Sequence, residues 1–267
     1  MQCEKIPIDS RGAVLHTYFL DESPEMPSGD KRPCIVICPG GAYRYTSDRE
    51  AEPIALAFAA RGFHTCVLRY PCAPEVHFPN ALCALGGAVA WVRANAARYA
   101  VDPRQIAVCG FSAGGHLAAC LGVYWNEPFL ADLVGAAATD MRPNKMVLCY
   151  PVITAGEYAH KGSIDNLLGE ETDSARREIV SLEQHVKPTT PPAFLWHTLT
   201  DPAVPVENTL LFAAALRKAG VPFEMHVYSI GSHGLALATP LTANREGYGI
   251  QPACAGWLDL AVDWLQR

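Results

Sequence analysis

Apolar residues along the chain form short continuous runs, and segments with helical spacing of apolar positions lie between them. An apolar run bounded by turn residues is typical of a strand buried on both faces, as in a parallel sheet. A looser alternation at 14–20 predicts an earlier strand, which we expect to pair with residues 5–8. The continuous runs predict strands at 34–38, 64–70, 106–109, 145–150, 193–197 and 223–228.

Helical spacing between these runs predicts the second type of element. Gly62 and Gly220 are expected to close two of the helices, because glycine readily adopts the left-handed conformation at a helix C-terminus. Asp102 and Pro103 predict a turn. Strands that alternate with helices indicate an α/β fold with a mostly parallel sheet and helices on both faces. The helices are predicted at 50–62, 80–99, 116–124, 206–219 and 257–265.

The length of 267 residues, 50% of them hydrophobic, fits one large domain spanning 1–267. Two segments depart from the alternation of strands and helices. Residues 21–33 are rich in proline and charge and predict a surface loop. Residues 154–187 are more polar and less regular, and short helices are expected near 167–169 and 175–185. We interpret 154–187 as a lid or insert that lies over the top of the sheet.

The formal net charge of −6 comes without a basic patch, which argues against a nucleic-acid partner. The apolar stretches fall short of the ~18 residues that a membrane-spanning helix needs. Because the chain begins without an apolar signal segment, we expect a cytoplasmic protein with reduced thiols. A homo-oligomer stays open. Several cysteines lie in the predicted strands, where a thiol behaves as a small buried hydrophobe; these are Cys34, Cys38, Cys66, Cys109 and Cys149.

Ser112 lies in Gly-Phe-Ser-Ala-Gly, between a predicted strand and a predicted helix. A Gly-x-Ser-x-Gly pattern in that context is typical of a nucleophile elbow, where a strained turn exposes the serine hydroxyl. The alternative is an ordinary tight turn whose serine only caps the helix. A nucleophilic serine also needs a base and an orienting carboxylate, which follow in the order Asp or Glu, then His, in α/β-hydrolases.

Asp201 and His233 are the candidates with that order, and each follows a predicted strand. Asp201 lies in a loop stiffened by prolines, although it could merely begin a turn before the next helix. His233 has glycines nearby that permit a close backbone approach, although it could be a solvated loop histidine. His197 is interpreted as a core or supporting residue, and His116 is expected to turn away from Ser112.

Gly40 and Gly41 directly follow the strand at 34–38. Backbone N–H groups of such a turn can point at a ligand, so we predict that both glycines and Ala113 stabilise an oxyanion. Substrate-lining roles are predicted for Ala42, Tyr43 and Tyr70. The sequence implies no metal and no cofactor; the expected partner is a small-molecule ester.

The stretches around the glycine turn, Ser112, Asp201 and His233 together resemble the α/β-hydrolase esterase/lipase family. The likeness is greatest to bacterial acetyl-xylan-esterase-like enzymes of the xylanase-B-like and hormone-sensitive-lipase-like groups. It implies the α/β-hydrolase fold, a triad of Ser112, Asp201 and His233, and oxyanion donors at Gly41 and Ala113. Pro39 stands where related lipases often have histidine, and Ala42 where a third glycine is common. The motifs that carry the likeness are Pro-Gly-Gly-Ala-Tyr at 39–43, Gly-Phe-Ser-Ala-Gly-Gly-His-Leu at 110–117, Asp201 with Val204-Pro205, and Gly-Ser-His-Gly at 231–234.

The predicted function is a serine carboxylic-ester hydrolase for short-acyl esters, acetyl first, on sugars or xylo-oligosaccharides. A serine peptidase or amidase on the same fold needs the same three residues and stays an alternative. A non-catalytic binding protein with this fold is the second alternative, although a binder has no need for all three.

Overall fold

The predicted apolar runs are strands of one sheet in this computed structural model, which describes residues 1–25, 31–169 and 173–267. Within those ranges the sheet has eight strands in the order β1-β2-β4-β3-β5-β6-β7-β8. The β1/β2 and β2/β4 pairs are antiparallel, and the remaining pairs are parallel. The predicted α/β-hydrolase fold is thereby confirmed. The strands are β1 (Lys5–Pro7), β2 (Val14–Tyr18), β3 (Arg32–Cys38), β4 (His64–Arg69), β5 (Val101–Phe111), β6 (Lys145–Cys149), β7 (Ala193–Thr198) and β8 (Phe223–Tyr228).

Helices cover both faces of the sheet. Gly220 has φ = 73° and closes the helix before β8, as predicted. Residues 170–172 of the expected insert and 26–30 of the expected loop lie outside the described residues. The helices of the described ranges are α1 (Glu52–Ala59), α2 (Asn80–Ala94), α3 (Ala113–Tyr124), α4 (Pro128–Val134), α5 (Ala138–Met141), α6 (Lys161–Leu168), α7 (Ser174–Ile179), α8 (Glu207–Ala219) and α9 (Trp257–Gln266), with short 3-10 turns at Asp48–Glu50, Leu182–Gln184 and Pro240–Thr242.

Alternate residues of β3 belong to two separate cores. Val36 packs into the core shared with α2 and α3, whereas Ile35 and Ile37 pack into the core shared with α1 and α9. All three side chains are fully buried. Burial on both faces explains why the central strands are continuous apolar runs, since neither face of the strand meets water.

Several predicted boundaries differ from the structure; the helix expected at 50–62, for example, is α1 (Glu52–Ala59) after a 3-10 turn. The helix expected at 80–99 ends at Ala94, because the side-chain amide of Asn95 donates to the Trp91 carbonyl and the chain then turns towards β5. The turn expected at Asp102 and Pro103 lies inside β5, where the register against β3 shifts. The Asp102 carboxylate does accept from Arg104 N–H, so the local turn chemistry is present as a strand irregularity.

Residues 125–144, to which the sequence assigned no element, form α4 and α5. The described part of 154–187 forms α6, α7 and a 3-10 turn. No helix of the described ranges is both long and apolar enough to cross a membrane. Cys34, Cys38, Cys66, Cys109 and Cys149 are all buried, as expected for residues of central strands.

His116 ties α3 to the segment that follows α7. Its ring is fully buried, with Nδ1 2.8 Å from the Tyr43 hydroxyl and Nε2 2.9 Å from the Val180 carbonyl. The hydroxyl therefore donates to Nδ1, and Nε2–H donates to the carbonyl, which requires the neutral ring. Burial lowers the pKa of His116 from 6.5 to about 4.

This depressed pKa makes stability depend on pH. The unfolded His116 takes up a proton below its ordinary pKa of about 6.5, whereas the folded ring resists protonation until about 4. Stability is therefore lost as the pH falls from 6.5 towards 4. Between pH 7 and pH 5 we expect His116 to contribute a loss of about 2 kcal/mol.

Urea unfolding of the wild type and of His116→Gln at both pH values measures this contribution. The wild type should lose about 2 kcal/mol more than the variant. The partly exposed His185, replaced by glutamine in the same way, serves as the control. An equal pH dependence in wild type and His116→Gln would show that the buried ring does not resist protonation.

Candidate active site

Ser112 occupies a strained turn between β5 and α3, with φ = 53° and ψ = −118°. The turn is anchored to the neighbouring strand, because Ser112 N–H donates to the Cys149 carbonyl at the end of β6. A Cβ at Gly110 would lie 2.1 Å from the Gly114 carbonyl oxygen, and one at Gly114 would lie 2.0 Å from the Cys38 oxygen. Both glycines of the pattern are thus required by close backbone packing, and they leave Ser112 at the carboxyl edge of the sheet.

The structure brings Ser112, Asp201 and His233 together. His233 Nε2 lies 2.7 Å from Ser112 Oγ, and His233 Nδ1 lies 2.7 Å from Asp201 Oδ2. Asp201 comes from the loop after β7, and His233 from the loop after β8. Because β5, β7 and β8 run parallel in one sheet, residues that follow them meet at one edge. The Ser112–His233 bond is short enough for the serine hydroxyl to transfer its proton to the ring, and the His233–Asp201 bond orients that ring.

Asp201 has a buried carboxylate, 1% exposed, that accepts hydrogen bonds with both oxygens. Oδ1 accepts from the N–H groups of Ala203 and Val204, and Oδ2 accepts from His233 Nδ1. Burial opposes its ionisation, but hydrogen bonds from His197, His233 and Val204 N–H outweigh burial and lower the pKa of Asp201 below the usual range. The residue therefore remains a carboxylate that favours the Nδ1–H tautomer of His233.

His197 supports Asp201 from β7. Its Nε2 lies 3.0 Å from the Val204 carbonyl and 3.3 Å from Asp201 Oδ2, so one N–H is shared between them. Its Nδ1 accepts from the Thr209 hydroxyl at 2.8 Å. The ring is fully buried, which agrees with the interpretation of His197 as a supporting residue.

The glycine turn differs from the prediction at Gly40. The Gly40 N–H donates to Glu50 Oε2 at 2.8 Å, so it is engaged inside the protein and its expected role as an oxyanion donor is corrected. No described group accepts a hydrogen bond from the N–H of Gly41, Ala42 or Ala113. Gly41 has φ = 130°, and a Cβ there would lie 2.1 Å from the Tyr45 carbonyl oxygen.

Tyr43 and Tyr70 lie beneath this turn. They are 3% and 4% exposed, and their hydroxyls donate to His116 Nδ1 and to the Pro39 carbonyl. The two rings contact each other edge to face at 6.0 Å. In this conformation they offer almost no surface to a substrate, and they support the turn from below, contrary to the expected lining role. Ala42, the third residue with a predicted lining role, is partly exposed.

The insert reaches the glycine turn directly. The side-chain amide of Asn166 in α6 donates to the Ala42 carbonyl at 2.8 Å. Phe78 N–H donates to the Leu167 carbonyl, which fastens α6 to the loop after β4. The insert therefore borders the site in the described residues.

Sequence reasoning missed Asn166, Glu50 and Tyr150 as residues of the site. Glu50 was read as the first residue of a helix, and nothing near it in the sequence indicates its bond to Gly40. Tyr150 is the last residue of the strand predicted at 145–150, at the edge where functional residues collect, so its position was a usable signal. The described residues contain no group of three or more His, Cys, Asp or Glu side chains arranged to hold a metal ion.

Comparison with known proteins agrees with this architecture. The sequence model of the family described as BD-FAE matches residues 23–216. Endo-1,4-beta-xylanase B of Butyrivibrio fibrisolvens is 39% identical over 216 residues, which make up 78% of this chain and 33% of that protein. The chain thus spans about a third of the length of that relative.

Two solved structures superpose over almost the whole chain. The acetyl ester-xyloside bifunctional hydrolase from Caldicellulosiruptor lactoaceticus gives a TM-score of 0.84 at 36% identity and covers 98% of this chain and 95% of its own. The carboxylesterase Cest-2923 from Lactobacillus plantarum WCFS1 gives 0.85 at 31% identity, with 100% and 97% covered. Because the family model matches more than half of this chain, the chain belongs to the BD-FAE family of α/β-hydrolase enzymes.

Proposed function

We propose that the chain is a serine carboxylic-ester hydrolase in which Ser112 is the nucleophile, His233 the general base and Asp201 its orienting carboxylate. The observation that carries this proposal is the line of two 2.7 Å hydrogen bonds from Ser112 Oγ through the His233 ring to Asp201. A serine hydroxyl is a weak nucleophile near neutral pH, and such a line of bonds is what activates it.

The reaction proceeds through an acyl-enzyme. Ser112 Oγ attacks the ester carbonyl carbon while His233 Nε2 takes the hydroxyl proton, and the carbonyl oxygen gains negative charge. His233 then donates this proton to the leaving alcohol as the carbon–oxygen bond breaks. Water deprotonated by His233 attacks the acyl-enzyme and releases the acid, and Ser112 recovers its proton.

The oxyanion formed in each half-reaction is assigned to the N–H groups of Gly41, Ala42 and Ala113. Ala113 is the first residue of α3, where backbone N–H groups have no partner within the helix. Gly41 and Ala42 belong to the turn after β3, which lies against Ser112: a Cβ at neighbouring Gly40 would be 3.0 Å from Ser112 Cβ. Donors held in place before the reaction stabilise the transition state without reorganising.

Short acyl groups, acetyl first, are the proposed substrates, with sugars or xylo-oligosaccharides as the alcohol. Ser112 is 7% exposed, so the nucleophile is recessed and favours a slender acyl group. One structural relative is described as an acetyl ester-xyloside bifunctional hydrolase, which supports acetyl as the acyl group and a xylose-containing alcohol for this chain.

Replacing the nucleophile or the base tests the proposed mechanism. Ser112→Ala and His233→Ala should each lower kcat for p-nitrophenyl acetate by about 10⁴-fold or more, because only binding and oxyanion contributions remain. Steady-state hydrolysis, corrected for background, measures the effect.

A fluorophosphonate probe supplies an independent readout. It should leave Ser112→Ala unlabelled. It should label the wild type and the control variant Ser229→Ala equally, because Ser229 is an exposed serine that the mechanism does not use. Equal labelling of Ser112→Ala, or near-wild-type turnover in either purified variant, would contradict the proposed mechanism.

A panel of p-nitrophenyl esters tests the acyl preference. We expect kcat/KM to be highest for acetyl and to fall as the acyl chain lengthens, as the proposed preference for a short acyl group requires. A p-nitroanilide with the same acetyl group should react far more slowly. An anilide turned over as fast as the ester would favour the amidase alternative, and a maximum at long acyl chains would contradict the acetyl preference.

A further inference from the structure

Glu50 carries a buried carboxylate that the proposed mechanism does not use. It is 4% exposed and ends the 3-10 turn Asp48–Glu50. Oε2 accepts from Gly40 N–H and Oε1 accepts from the Tyr150 hydroxyl, both at 2.8 Å. In the part of the chain that the structure describes, no cationic side chain forms an ion pair with it. A buried, unpaired carboxylate is costly for a fold, so hydrogen bonds must hold it in place.

One oxygen of Glu50 contacts the oxyanion side of the site. A Cβ added at Gly40 would lie 2.7 Å from Glu50 Oε2 and 3.0 Å from Ser112 Cβ. Gly40 is therefore confined between the carboxylate and the nucleophile. Because Gly41 is the next residue, the bond from Gly40 to Glu50 determines where the Gly41 N–H stands relative to Ser112.

The other oxygen of Glu50 contacts the His233 side of the site through Tyr150. The Tyr150 hydroxyl donates to Glu50 and accepts from Ala236 N–H at 2.8 Å, in the loop that carries His233. The Tyr150 ring also packs edge to face on the His233 ring, with centroids 5.1 Å apart. Burial and the neighbouring Glu50 carboxylate raise the pKa of Tyr150, so the hydroxyl retains the proton that it donates.

From these contacts we infer that Glu50, acting with Tyr150, is a positioning residue that sets the oxyanion turn and the His233 loop at fixed distances from Ser112. The two loops belong to distant parts of the chain and are joined by one carboxylate. The inference rests on the proposed function, because it assigns Glu50 a role in the same reaction. Glu50 touches neither the substrate nor the reacting atoms and acts through Gly40 and Tyr150.

Glu50→Gln keeps the shape of the side chain but exchanges one acceptor oxygen for a donor amide. Its one oxygen can accept from Gly40 N–H, but its amide group presents a donor to Tyr150, so the Tyr150 hydroxyl loses its acceptor and the link between the two loops is weakened. We expect kcat for p-nitrophenyl acetate to fall about 10- to 100-fold, since small displacements of reacting groups cost up to about 10² in rate. KM should change less than about threefold, because the lost contacts serve the transition state.

Tyr150→Phe removes the hydroxyl and should lower kcat to a similar extent. If the two residues act as one unit, kcat of the double variant Glu50→Gln/Tyr150→Phe should be no lower than kcat of the less active single variant. Losses that multiply in the double variant would overturn the inferred connection between the loops.

Counting active sites separates positioning from folding. End-point labelling with a fluorophosphonate gives the fraction of molecules with a reactive Ser112, and kcat is then expressed per labelled site. If Glu50 serves stability alone, Glu50→Gln lowers the labelled fraction or Tm while kcat per labelled site remains at the wild-type value, which would overturn the inference.

Glu52 and Tyr18 provide a matched control pair. The Tyr18 hydroxyl donates to Glu52 Oε2 at 3.0 Å on an exposed part of the surface, away from the site. Glu52→Gln and Tyr18→Phe should leave kcat per labelled site and KM unchanged.

A wild type that is neither labelled by the probe nor able to hydrolyse the ester would refute the proposed function and this inference together. An active wild type with an unchanged kcat per labelled site in Glu50→Gln would refute the inference alone.

Discussion

The close approach of α3 to the end of β3 is the constraint on which the site depends. Gly114 lies so near the Cys38 carbonyl that no side chain fits between them. This contact forces Ser112 into a conformation that costs on the order of 1–3 kcal/mol for a residue other than glycine. The cost is offset by β5, whose central residues are buried between two cores. The same contact places the turn that follows β3 beside the serine, so nucleophile and oxyanion donors have one structural origin.

Two buried carboxylates stand on either side of this elbow and are held differently. Asp201 accepts from backbone N–H groups and from two histidines, and these bonds keep it ionised. Glu50 accepts from one backbone N–H and one tyrosine hydroxyl. Both lie in surroundings with little water, where hydrogen bonds are strong and rigid. Such an arrangement suits a reaction in which charge develops at fixed positions.

The insert, residues 154–187, supports the site through hydrogen bonds. Asn166 of α6 holds the Ala42 carbonyl, while the Val180 carbonyl receives the N–H of buried His116. His116 in turn accepts from Tyr43, which lies under the same glycine turn. The loop that is proposed to bind the oxyanion is thus supported from the sheet and from the insert.

The sequence predicts most of the strands and helices, the elbow at Ser112, and Asp201 and His233 as its candidate partners. These features are encoded locally, in runs of apolar residues and in glycines that permit close packing, and a parallel sheet brings the strand ends together. The end of α2 and the course of β5 were less predictable, because a side-chain amide and a register shift decide them.

Three contacts are set by the fold and not by any local pattern: Gly40 donates to Glu50, Tyr150 links Glu50 to Ala236, and Tyr43 donates to His116. Each of these bonds joins groups that no pattern in the sequence relates, up to 100 residues apart in the case of Glu50 and Tyr150. A hydrogen bond depends on position to within a few tenths of an ångström, and that position is set by the packing of the whole sheet.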